Sequence, residues 1–199
     1  MKKLVCLFFV VFLFSARIVC PQQKSNYDLF GGLIKKSVSQ IDSALGDSKK
    51  NTVVNLSVPQ LLDQLKPELI SAFNSKGFIL KSENEKQQVL NFTLIDASVN
   101  YKNPFTDGFF GDAMVEREAV LKGTYFSESQ NAVGNPVGFS FSGVDTVSMD
   151  DISNLENKAF PFTQGAVPSP PVFSSLLEPV IIVGSLVASV VLLFTVRGK

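Results

Sequence analysis

The side chains that could do chemistry are mostly carboxylates. Glu116 and Glu118 stand two residues apart, and Asp150 and Asp151 are adjacent. Acid–base catalysis through such a pair needs two environments, so that one acid stays protonated while the other is ionised. An acidic, solvated surface accounts for both pairs more simply. The stretch DTVSMDDISNLE places Asp145 and Glu156 at the ends of a segment of EF-hand length. Its inner ligand positions fall on Val147 and Met149, and Asp150 stands where the tight turn needs glycine, so it cannot hold calcium. The chain has no histidine, and its two cysteines, Cys6 and Cys20, both lie near the start. The commonest proton shuttle is therefore missing, and the region after Cys20 holds neither a disulfide framework nor a thiolate metal site. Neither G-x-S-x-G nor S-x-x-K occurs. No catalytic residue, metal or cofactor is expected.

Binding chemistry is more legible. In PFTDGFFGDAM, Phe109 and Phe110 are bracketed by Gly108 and Gly111, then by Asp107 and Asp112. Glycines allow a sharp tip and acids favour water. Two aromatic rings held there form a candidate contact for a protein partner, since aromatic anchors dominate interfaces. The alternative is a loop folded onto its own domain. Near the C-terminus, Gly184 and Ala188 are four apart, as are Ser185 and Ser189. They make a smooth strip through which two helices could approach and form a homo-oligomer.

The elements that must position these residues follow from periodicity. Apolar residues at Tyr27, Phe30, Leu33, Ile34, Val38, Ile41 and Leu45 predict a helix, with Asn26 at its start and Gly46 at its end. NTVVNLSV predicts a strand over 52–58. PQLLDQLKPELISAFNSKG predicts a helix that restarts at Pro67 and closes at Gly77, and FILKS a second strand. That β-α-β unit favours parallel pairing. In QVLNFTLIDASVNY, Leu90, Phe92 and Leu94 share one parity, while Ile95, Ala97, Val99 and Tyr101 share the other. A β-bulge near Leu94–Ile95 restores one oily face. EREAVLKGTYF and VGFSFSGVDTV complete a three-stranded antiparallel meander, and DDISNLEN a short closing helix. The expected class is α+β: an N-terminal helix, the β-α-β unit, the meander and a C-terminal transmembrane helix. The strand–helix–strand order followed by a meander resembles, in outline, the small periplasmic domains of bacterial envelope-assembly lipoproteins. No motif here is specific to them, and no family is assigned.

The two ends suggest export. Lys2, Lys3 and the apolar run Leu4–Phe14 read as a signal peptide or signal anchor over 1–20, and Cys20 before Pro21 leaves a lipidated cysteine open. An exported domain follows over 21–158. A proline-rich stalk spans 159–178, a transmembrane helix 179–196, and a cytoplasmic tail 197–199. Basic residues at both ends place the domain in the periplasm and the C-terminus in the cytoplasm, as a single-pass protein of a bacterial inner membrane. The bilayer itself is then one partner. Residues 21–175 hold 12 Lys and 1 Arg against 17 acids, which is no footprint of a nucleic-acid binder. The function expected is a non-enzymatic, membrane-anchored envelope protein, an accessory or assembly subunit that binds another protein. The alternatives are a module for an envelope lipid or glycan and, third, an enzyme.

Overall fold

The computed structural model describes residues 23–46, 52–80, 88–108, 111–129 and 132–197. The 1–20 leader lies outside them. Helix α1 is Asn26–Leu45 and β1 is Thr52–Ser57. A 3₁₀ turn over Gln60–Leu65 leads into α2, Lys66–Ser75, with Pro67 in its first turn, so the expected restart is seen. Strands β2, Gln88–Thr106, and β3, Ala113–Ser129, form one long hairpin. The two-residue β4, Ala132–Val133, precedes β5, Val137–Ser148. Helix α3, Ile152–Leu155, and a 3₁₀ turn, Pro161–Thr163, follow, and then α4, Val172–Arg197.

The sheet is mixed and bare on one side. β1 pairs parallel with β2; β2, β3 and β5 pair antiparallel. The second strand expected at FILKS is reduced to one parallel bridge, Val53 to Ile79. The full parallel partner of β1 is the start of β2, so the crossover reaches further along the chain than the sequence suggested. The bulge stands where it was expected. Register slips between Leu94 and Asp96, and Ile95 is pushed out and 55% exposed. That extra residue lets Leu90, Phe92, Leu94, Ala97, Val99 and Tyr101 all lie buried on one face.

Helix α1 packs on that face through Phe30, Leu33, Ile34, Val38 and Ile41, all buried. Its cap is Ser25, not Asn26. The Ser25 hydroxyl and the Asp28 carboxylate exchange hydrogen bonds with the first-turn amides, closing a capping box. Phe73, Phe92 and Phe139 run across the core at 5.4 Å centroid spacings. Gly123 makes this possible, because a β-carbon there would meet the Phe139 ring and the Thr93 carbonyl. Residues expected to begin the stalk instead complete the core: Phe162 and Thr163 are buried, and Phe162 meets Phe30 edge-on at 5.5 Å.

The C-terminal helix corrects the expected class and location. Its described side chains, 179–195, are all exposed, and most are apolar. Among the described residues, however, no helix is long and apolar enough to cross a membrane. The transmembrane helix expected at 179–196 is therefore not found. The single-pass inner-membrane placement, with its cytoplasmic tail, falls with it. Pro179 lies inside α4.

Candidate protein-binding surface

The carboxylates read first as chemistry are spread over the surface and the fold. Glu116 and Glu118 both project from the bare face of β3 toward Lys102, whose ammonium lies 4.0 Å from Glu116 and 2.8 Å from Glu118. The hydrogen bond that the Lys102 ammonium donates to Glu118 holds the Lys102 pKa above its ordinary value. Two acids sharing one lysine in water are a surface cluster. Asp150 and Asp151 sit in the turn into α3, where the Asp150 amide donates to the Ser148 hydroxyl. Asp145 and Glu156 do not converge. Asp145 pairs with Arg117, and Glu156 accepts from the Gly165 amide at 2.9 Å. No group of three or more metal-ligating acids, histidines or cysteines occurs among the described residues.

No motif in the sequence singles out Arg117. It lies on the inward face of β3 and is fully buried. Its guanidinium donates twice to Asp145, at 2.8 and 2.6 Å, and also to the Lys24 carbonyl and the Asn26 side-chain oxygen. The Asn26 amide in turn donates to the Tyr101 hydroxyl and the Thr163 carbonyl. One network thus joins the start of α1, three strands and the 161–163 turn. Burial raises the Tyr101 pKa, and its hydrogen bond with Asn26 opposes that shift. Each of the three Arg117 nitrogens donates within the protein, so the network is a clasp between elements of the fold. Beside it, Lys24, Tyr27, Asp28, Gly31, Gly32, Lys35 and Glu68 line a cleft of about 510 Å³. The cleft mixes both charge signs and is open to solvent.

The surface with unspent bonding capacity is the outer edge of β5. The register with β3 fixes which backbone groups point away. The Met149 amide donates to the Ala113 carbonyl at 2.8 Å, and the Gly134 amide to the Ser127 carbonyl at 2.7 Å. Odd-numbered residues of β3 therefore bond toward this side. Their partners on β5, such as Val147 and Asp145, are the bonded pairs. The even residues Gly138, Ser140, Ser142, Val144 and Thr146 turn their N–H and C=O groups outward. Among the described residues, the one hydrogen bond to that row is a long one, 3.5 Å, from the Gln23 side chain to the Thr146 carbonyl. The opposite edge of the sheet is partly closed, because β1 exchanges two bonds with Ile79.

Edge strands are usually blunted by lysine, proline, a bulge or brevity. β5 has twelve residues, no lysine and no proline, and shows no register shift against β3. Its one charge, Asp145, is committed to Arg117, and Val144 stands 58% exposed. The alternation of Phe139 and Phe141 with Ser140 and Ser142 was legible in the sequence. That β5 would end as the free edge was not.

The contact residues expected from sequence fare differently. Phe109 and Phe110 lie outside the described residues. On either side of them the hairpin is closed by the Asp107 amide donating to the Asp112 carbonyl at 3.0 Å, with Gly108 at φ +77°. Gly184, Ser185, Ala188 and Ser189 are exposed on α4. The Ser185 and Ser189 hydroxyls donate back to the Ile182 and Ser185 carbonyls of their own helix. They are spent as donors between helices, and self-association through a transmembrane strip has no support without a spanning helix.

No family model matches the chain, and no curated protein matches its sequence. Several solved structures overlap it, two bacterial lipoproteins among them. One is a minor lipoprotein from Acinetobacter baumannii, 13% identical, with TM-score 0.37, covering 66% of this chain and 89% of that one. The other is the rare lipoprotein B from Shewanella oneidensis, 10% identical, with TM-score 0.29, covering 71% and 98%. Overlap this slight also occurs between unrelated folds, so the chain's own residues carry the functional reading.

Proposed function

We propose that this chain is a non-enzymatic, envelope-associated protein that engages a protein partner by accepting an extended strand along β5. The observation that carries the reading is the free edge: five outward-facing backbone positions in a row, unguarded by charge or proline. Strand addition draws affinity from main-chain hydrogen bonds and specificity from alternate side chains. Here those side chains are Ser140, Ser142 and Val144 toward the bare face and Phe141 toward the covered one. The basic start and apolar run of the leader support export.

The test is a photo-crosslinking side chain placed at Ser142 in cells, with Asn100, in the middle of the bare face, as the control position. The reading predicts a discrete protein adduct from Ser142 and none from Asn100. No adduct at Ser142, or equal adducts at both positions, contradicts it.

A further inference from the structure

Resting on the strand-addition reading, we infer that the strand accepted by β5 is β5 of a second copy of this chain, joined edge to edge about a two-fold axis at Ser142. Antiparallel partners bond through residues that both face outward, and on β5 those are the even positions. A two-fold axis at Ser142 sets Gly138 opposite Thr146 and Ser140 opposite Val144, with Ser142 opposite itself. All five outward positions pair, making about ten backbone hydrogen bonds over roughly 27 Å.

The side chains fit the same register. Phe141 of each copy lies across from Gly143 of the other, where no side chain meets the ring. The only charge on the strand, Asp145, is held by Arg117 and does not face its own copy, so no like charges oppose each other across the seam. A neutral edge is self-compatible in a way that a lysine-guarded edge is not. Gln23 is exposed and can leave the Thr146 carbonyl when a main-chain donor arrives. The result is one continuous sheet with a closed two-fold interface, which stops at two copies.

The experiment uses the full chain in a mild non-ionic detergent, with mild oxidation and mass spectrometry of the joined peptides. Ser142→Cys should give a disulfide between the two introduced thiols, since directly opposed residues lie within bridging distance. Ser140→Cys mixed with Val144→Cys should join to each other in preference to themselves. Adding Ser142→Pro removes an outward N–H that the β3 ladder does not use. It should lower the yield of that mixed bridge at least tenfold while circular dichroism stays unchanged. Absence of the Ser142→Cys bridge overturns the inference, as does a yield no higher than that of Asn100→Cys on the bare face. If the bridge is absent while the photo-crosslinker at Ser142 captures a different polypeptide, the second copy is wrong and strand addition stands. If neither reacts, both fall.

Discussion

Arg117 on β3, fully buried, grips Asp145 on β5 with two hydrogen bonds of 2.8 and 2.6 Å. The pair orders the edge strand from inside the sheet. It ties β5 to the start of α1 through the Asn26 side chain and the Lys24 carbonyl. Removing one partner leaves an uncompensated buried charge, which costs more than the pair itself contributes. Asp145→Asn should therefore destabilise the domain by about 3 kcal/mol in denaturant melts. Arg117→Met with Asp145→Asn should cost less than the sum of the singles, with a coupling of at least about 1 kcal/mol. Strict additivity would show that the two act independently.

Ile95 separates a side-chain effect from a backbone effect. Its side chain is 55% exposed, so Ile95→Ser should change stability by less than about 0.5 kcal/mol. Deleting Ile95 removes the bulge. Leu94 and Asp96 would then be neighbours in an unbroken strand, with Leu90, Phe92, Leu94, Ala97, Val99 and Tyr101 still on one face and the pairing with β3 kept. The deletion should keep a cooperative melt, and loss of cooperative unfolding would contradict the role given to the bulge.

Burial holds the Tyr101 hydroxyl above its ordinary pKa of 10.0. A raised folded-state value means that the folded chain keeps its proton after the unfolded chain has lost it. The associated stability is complete below about pH 10 and is lost as pH rises toward the folded value. Melts from pH 8 to 11.5 should show wild type losing stability above about pH 10 faster than Tyr101→Phe. In that variant Asn26 keeps its bond to the Thr163 carbonyl. Parallel curves for the two proteins would rule out Tyr101 as the titrating group.

The fold was legible where local pattern and tertiary need agree. The phase change across Leu94 and Ile95 announced the bulge, Pro67 the restart of the second helix, and Gly46 and Gly77 the helix ends. What stayed hidden depended on contacts between distant segments. Asn26 looks like a helix cap, but Ser25 has the better partner in Asp28, which frees Asn26 for Arg117. Arg117 is a charge at an inward position of EREAVLKG, and no local pattern marks its partner Asp145, 28 residues on. Phe162 sits in a proline-rich segment that reads as a spacer, yet its ring closes the core over Phe30. The C-terminal run is apolar in composition, yet among the described residues no helix is long and apolar enough to cross a membrane. The edge position of β5 is a matter of topology, which no local pattern in VGFSFSGVDTV encodes.

Amide hydrogen exchange along β5 tests the central claim most directly. Gly138, Ser140, Ser142, Val144 and Thr146 are to be compared in isolated cell envelopes and in dilute purified full chain. Paired outward amides exchange slowly and bare ones quickly. The account predicts strong protection of these five in the envelope, lost on dilution, while inward-bonded Phe141 and Val147 stay protected throughout. Fast exchange of the five in both settings would contradict a partner strand on β5.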